Sequence, residues 1–212
     1  MDPDFWHNKW QHNEIGFHNS EAHSLLLRYW PTLALSVESR VLVPLAGKSL
    51  DVRWLLEQGL AVTASELSET AAAAFFAEQG WRADISEHRG HRLYRHERLD
   101  YWVGDFFTLP EEQLSPVDAV YDRAALIALP PEMRQRYVDT LKALLKPGAL
   151  YLLISLEYVD NDAGGPPFAV DGDAVTELFR DSFSIHCHGR HASEVKGREA
   201  FEAVYTLEYA GA

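Results

Sequence analysis

The chain has 212 residues, enough to bury one well-formed core and short for two domains. Its 19 lysines and arginines against 32 aspartates and glutamates leave a formal charge of −13 spread along the chain, which argues against nucleic acid or an anionic membrane surface as a partner. No window approaches the roughly 18 consecutive apolar residues of a membrane span.

The first residues, "MDPDFWHNKW", are acidic and aromatic and lack the basic and apolar regions of an export signal. A lone cysteine, Cys187, cannot close an internal disulfide. A cytoplasmic protein acting on a small molecule is the expectation. "HNSEAHSLLLRYW" reads as a helix covering the end of a sheet or a pocket. "RVLVPL" follows as a buried strand whose near-continuous apolar character suits a parallel sheet. Residues 49–58 read as a helix closed by Gly59, and "LAVTAS" as a second strand. Residues 69–79 form a second helix ended by Gly80. "LDYWVGDF" and "VDAVYD" are a third and a fourth strand. Between the latter and "ALYLLISL" lies a helix that starts at Pro130–Pro131 and is stopped by Pro147–Gly148. A Gly/Pro-rich loop, "NDAGGPPF", precedes a short helix near 172–181, then the β-like runs "SFSIHCHG" and "AFEAVYTLEY".

Repeated strand–helix alternation predicts an α/β, doubly wound fold: a mostly parallel, seven-stranded sheet with helices on both faces and an antiparallel C-terminal hairpin. No linker divides the sequence, so residues 1–212 read as a single domain, with 1–38 a helical, aromatic cap and 39–212 the α/β core.

In such sheets ligands bind beyond the carboxyl ends of the strands, which draws attention to "VPLAGKS". A triphosphate loop needs Gly, four residues, then Gly-Lys-Ser/Thr; here Leu42, inside the strand, occupies the first glycine's place. A dinucleotide loop needs G-x-G-x-x-G, and only Gly47 is present. What remains is a turn suited to a nucleoside without phosphate, with Glu66 just past the second strand as a ribose acceptor or simply a helix N-terminal charge.

Several segments then resemble, in order and over nearly the whole chain, the bacterial-type thiopurine S-methyltransferases of the class I methyltransferase superfamily: "FWHNKWQHNEIGFH", "VPLAGKSLDVRWLLEQG", "ASELSE", "AFFAEQG", "GDFFTLP", "YDRAALIALPPEMRQRY" and "GPPF". The resemblance implies S-adenosylmethionine as cofactor and assigns Trp10, Leu45, Glu66 and Arg123 to its contact. Asp105 and Phe106 sit where the family holds the adenine. Leu45 would offer backbone groups to the methionine end, and Arg123 would pair with the methionine carboxylate or guide the acceptor sulfur. Arg123's structural alternative is an ion pair with Asp122 or another acid. Trp6, Trp10 and Phe17 offer aromatic faces that attract a sulfonium by about 0.5–2 kcal/mol each when desolvated, or else bury a helix. "GGPPF", residues 164–168, would be a stiff loop at the pocket rim. The clusters His186, Cys187, His188, His191 and His88, His91, His96 match no zinc spacing, so no metal is expected.

The implied reaction is methyl transfer to a small aromatic or heterocyclic thiol, thiopurines among them, or to selenium or tellurium compounds, with no dedicated general base. A monomer is the family-like expectation. The competing functions are a nicotinamide-dependent oxidoreductase on the same fold and a non-catalytic S-adenosylmethionine-binding module.

Overall fold

A computed structural model of the chain describes residues 3–160 and 164–211; the first three residues of the "NDAGGPPF" loop lie outside them. Two compact units divide at Val117/Asp118.

In the first unit, α1 (Pro3–Gln11) and α2 (Ser24–Tyr29) precede β1 (Arg40–Val43), α3 (Leu50–Glu57), β2 (Ala61–Glu66) and α4 (Glu69–Gln79). Three further strands follow: β3 (Asp84–His88), β4 (His91–His96) and β5 (Leu99–Val103). Their order is β3-β4-β5-β2-β1. β1, β2 and β5 run parallel, with Val43 opposite Ala64 and Glu66 opposite Val103. That register leaves Ser65 and Glu66 projecting past the end of β1, beside the turn that follows it. The apolar runs of these strands are sealed: Leu42, Val62, Ala64, Leu99 and Tyr101 are buried, and Phe75 of α4 stacks on Tyr101 at 5.5 Å. Each such leucine, valine or phenylalanine side chain contributes about 1.5–3 kcal/mol by leaving water.

Among the described residues there are nine strands, not seven. The two additional ones, β3 and β4, form an antiparallel hairpin that adds to β5. β3 is the outer strand and exposed along nearly its whole length, so its sequence, "DISEH", shows no apolar alternation. Its charges suit an edge that must not pair with another chain.

The second unit holds β6 (Val117–Arg123, beginning at the boundary), α5 (Pro131–Leu144), β7 (Leu145–Tyr158), α6 (Gly172–Phe179), β8 (Phe183–Val195) and β9 (Arg198–Tyr209). Their order is β6-β7-β9-β8, with β9 antiparallel to both neighbours, which is the predicted C-terminal hairpin. α5 ends earlier than Pro147–Gly148 suggests, because the residue before a proline is pushed out of the helical region and β7 begins at once. Tyr137, Val138, Leu141 and Leu144 of α5 form the buried stripe.

Under that stripe, the buried Asp122 carboxylate accepts hydrogen bonds from the Tyr137 and Tyr151 hydroxyls, both at 2.6 Å, and from the Leu126 N–H at 3.1 Å. Burial pushes the Asp122 carboxyl above its usual range, and the two phenols and backbone N–H groups pull it back. Burial, reinforced by the Asp122 charge, holds both phenols well above the usual value near 10. A phenol raised in this way stabilises the fold below pH 10 and gives that stability up as pH rises, because the unfolded chain loses its proton first. Urea unfolding from pH 9 to 11 should therefore show stability falling with a slope that steepens through pH 10 towards a limit of about 1.4 kcal/mol per pH unit for each such tyrosine, and Tyr151→Phe should lower that limiting slope by one such increment.

Candidate active site

Pro44 follows the last residue of β1, and the chain then turns through Leu45 and Gly47, both at positive φ, +49° and +55°. For leucine such a backbone costs roughly 1–2 kcal/mol, and the projecting end of β2 supplies the hydrogen bonds that hold it. The Leu45 N–H donates to Ser65 Oγ at 3.3 Å and the Ala46 N–H to the Ser65 carbonyl at 2.7 Å. The Gly47 N–H donates to Glu66 Oε2 at 2.9 Å, while Glu66 Oε1 accepts from the Ser68 N–H at 2.8 Å. The Tyr101 hydroxyl donates to the Gly47 carbonyl. Glu66, the last residue of β2 rather than a loop residue, is only 7 % exposed. Burial pushes its carboxyl up, and the N–H groups of Ser68, Gly47 and Leu67 draw it back.

Trp10 of α1 closes this turn from above. A methyl group placed on Gly47 would lie 3.0 Å from the Trp10 ring, so any side chain at residue 47 would crowd the indole. Trp10 in turn meets Phe17 edge-to-face at 5.6 Å, and Phe17 meets Trp6 at 5.8 Å. The aromatic residues of the N-terminal segment thus form one cluster over the turn.

The "GKS" residues have other tasks. Lys48 Nζ pairs with Glu78 of α4 at 2.6 Å, and Ser49 caps α3 by accepting the Asp51 N–H at 3.1 Å. The Gly47 N–H, which a phosphate loop would present to its ligand, already meets a carboxylate. An anionic phosphate would be repelled from this turn, whereas the hydroxyls of a ribose, as donors, suit the remaining lone pairs of Glu66.

Beside the cradle, at the carboxyl ends of β2 and β5, a pocket of about 420 Å³ is lined by Leu67, Ser68, Val103 and Gly104, with His7, Glu69, Glu87 and Arg92 among its polar walls. Arg92 pairs with Glu87 at 2.6 Å and with Glu69, and the Tyr94 hydroxyl donates to Glu69 at 2.9 Å, which ties the β3–β4 hairpin to the start of α4. Asp105 and Phe106 follow directly on Gly104. Asp105 is exposed and accepts the Phe107 N–H at 3.0 Å, capping a short 3₁₀ turn; Phe106 is buried, edge-to-face with Phe107.

In the second unit, Arg123 is the last residue of β6 and half-buried, followed by Ala124 at φ +68°. The "GGPPF" segment and the alanine after it are fastened at four points. Lys196 Nζ donates to the Pro166 carbonyl, Tyr158 Oη to that of Pro167 and Arg134 Nη2 to that of Ala169, at 2.8, 3.1 and 3.1 Å, while the Phe168 N–H donates to the Ile127 carbonyl at 2.7 Å. Of the histidines, His188 contacts Thr206 Oγ1 at 2.7 Å and His96 stacks on Trp81 at 4.8 Å. Among the described residues, no group of three or more His, Cys, Asp or Glu is placed to hold a metal ion, and no helix is long and apolar enough to cross a membrane.

The structure therefore gathers Trp10, Leu45 and Glu66 around one turn, with Asp105 and Phe106 after the adjoining pocket wall. Sequence reasoning missed Ser65, Ser68 and Tyr101, which brace the turn, and Leu67, which lines the pocket. Nothing in the sequence pairs Tyr101 with residue 47, 54 positions away.

The arrangement is that of an α/β protein whose parallel strands end at a turn held by a buried carboxylate, with no phosphate loop. Among solved structures, the chain resembles the 1,6-didemethyltoxoflavin-N1-methyltransferase of Burkholderia thailandensis, determined with 1,6-didemethyltoxoflavin and S-adenosylhomocysteine. The TM-score is 0.70 at 19 % identity, covering 98 % of this chain and 87 % of that one, a likeness of fold. The family model for thiopurine S-methyltransferase matches residues 1–208. The thiopurine S-methyltransferase of Pseudomonas fluorescens is 48 % identical over 84 % of this chain and 82 % of its own length; that of Shewanella loihica is 46 % identical over 88 % and 86 %. The chain belongs to the thiopurine S-methyltransferase family, a family of S-adenosylmethionine-dependent methyltransferases. This does not favour the nicotinamide-dependent alternative.

The contact between Trp10 and Gly47 gives a test of the cradle. Gly47→Ala should lower stability by about 1–3 kcal/mol through strain at positive φ and the clash with the indole. In a Trp10→Leu background, where the clash is relieved, the same substitution should cost about 1 kcal/mol less; additive effects in denaturant unfolding would show that the two do not touch.

Proposed function

We propose that the chain methylates the sulfur of small aromatic or heterocyclic thiols, thiopurines among them, and the corresponding selenium compounds. We infer also that it works in the cytoplasm as a monomer and single domain, with residues 1–38 as its cap. The observation that carries the reading is Glu66, whose carboxylate holds the Gly47 and Ser68 N–H groups and makes the strand end hospitable to a ribose and hostile to phosphate.

S-adenosylmethionine, when bound, supplies a methyl group on a sulfonium, which a thiolate takes by forming its C–S bond as the old one breaks with its electron pair passing to the departing sulfur. The residues of this chain would hold and orient it. Glu66 would accept the ribose hydroxyls, and the pocket walls at Leu67, Val103 and Gly104, with Asp105 and Phe106 beyond, would take the adenine. Leu45 would present backbone groups to the methionine end. Arg123 would meet the methionine carboxylate or orient the acceptor sulfur. Trp10, already seated on Gly47, excludes water from above the turn. The acceptor ionises in part near neutral pH, so its proton leaves to water before transfer and no side chain need remove it. Alignment in a dry site supplies the rate, a contribution of up to about 7–11 kcal/mol.

Calorimetry with S-adenosylmethionine and S-adenosylhomocysteine, followed by product formation with a panel of thiols and selenols, tests the reading; binding without transfer to any acceptor would leave only the non-catalytic module. Glu66→Ala should raise the Kd for S-adenosylhomocysteine by roughly 10- to 100-fold, since a hydrogen bond to a charged group contributes about 1.5–3 kcal/mol. It should leave kcat at saturating cofactor within about threefold; an equal loss in kcat would contradict a ground-state ribose contact.

A further inference from the structure

His91, the first residue of β4, was set aside above as a metal ligand, yet it is the one histidine of the β3–β4 hairpin that is buried, at 3 % exposure. Its Nε2 lies 3.0 Å from the Asp105 carbonyl oxygen. A carbonyl can only accept, so Nε2 carries the proton and Nδ1 the lone pair. That Nδ1 is buried without a hydrogen-bond partner among the described residues. The ring also lies flush on Gly104: a methyl group there would fall 2.3 Å from His91 Cδ2, and the φ of +148° is one that side chains rarely adopt. From its other side Gly104 donates its N–H to the Glu66 carbonyl at 2.9 Å. The two-residue segment Gly104–Asp105 is thus held at its N–H end by β2 and at its carbonyl end by an imidazole, and Gly104 lines the pocket.

An apolar ring of similar size would fill the same space without burying an unpaired nitrogen. What the imidazole adds is a single N–H aimed at the Asp105 carbonyl. We propose that His91 is a positioning residue for cofactor binding, its Nε2–H fixing the Asp105 carbonyl and with it the Gly104–Asp105 segment that forms the wall against the adenine. The inference rests on the adenosine reading of the pocket, and it gives the first residue of β4 a part in affinity.

Two measurements test it. Nitrogen-15 NMR of the ligand-free protein should show the His91 ring protonated at Nε2 and bare at Nδ1; the opposite tautomer would overturn the assignment without any variant. Calorimetry with S-adenosylhomocysteine and 5′-methylthioadenosine, which share only the adenosine part and its sulfur, is the second. His91→Phe keeps the ring and drops the N–H, and should weaken both ligands alike by about tenfold, the upper end of one neutral hydrogen bond. His91→Gln, whose amide N–H can reach the same carbonyl, should recover most of the loss, and kcat at saturating cofactor should stay within about twofold in both variants. A folded His91→Phe protein that binds both ligands as the wild type does would reduce His91 to packing and sink the inference while leaving the adenosine reading intact. Wild-type protein that binds neither ligand would defeat both. Should His91→Phe not fold, wild-type affinity in His91→Gln together with the Nε2–H tautomer in the wild-type protein would support the assignment, and the opposite tautomer in the wild-type protein would still overturn it.

Discussion

A single buried carboxylate organises the amino-terminal unit. Taking the Glu66 carboxylate out of water is costly unless its lone pairs are met, and the chain meets them with backbone N–H groups from two directions: Gly47 on the turn after β1 and Ser68 at the start of α4. The register of β1 against β2, which carries Ser65 and Glu66 beyond Val43, makes that reach possible. The positive φ at Leu45 and Gly47 follows from the same demand, since the turn must present its N–H groups inward towards β2. A carboxylate in the position where other loops hold phosphate also decides the chemistry: the site suits a ligand that brings hydroxyl donors and positive charge.

The same device recurs in the carboxy-terminal unit. Asp122, near the carboxyl end of β6, accepts the Leu126 N–H of the following turn together with the hydroxyls of Tyr137 and Tyr151. Around Glu66 the tyrosine is Tyr101, which donates to the Gly47 carbonyl instead of to the carboxylate. A tyrosine serves well in both places because a rigid apolar body fills the core while its one polar tip satisfies a group that burial would otherwise orphan. Each strand-end turn is therefore held by a short, fully buried polar network, and such networks specify one geometry because a partly satisfied arrangement would cost more than an apolar one.

The N-terminal segment packs on the turn after β1. Trp10 rests on Gly47, where a side chain would crowd the indole and strain the positive φ, so helix and turn are mutually constrained. The β3–β4 hairpin plays a comparable part at the pocket wall, where His91 lies on Gly104 and Arg92 reaches Glu69. In both cases an element outside the alternating strand–helix pattern shapes the ligand site.

What could be read from the sequence was whatever is local. Apolar runs, proline and glycine stops and the alternation of strands with helices located α3 to α6, the parallel strands and the terminal hairpin, and the incomplete glycine spacing around Gly47 ruled out the phosphate loops. Glu66 was found by its place after the second strand, and the order of short motifs along the chain pointed to the family. The β3–β4 hairpin stayed hidden because an edge strand exposed on both faces, "DISEH", needs no apolar alternation. The partner of Lys48, Glu78 of α4, stands 30 residues away and could not be read from the sequence. Tyr101, Ser65, Ser68 and His91 take their meaning from partners that only strand register and turn geometry bring within 3.3 Å. Sequence patterns report which side of an element is buried, and only the folded chain decides which buried polar atoms meet.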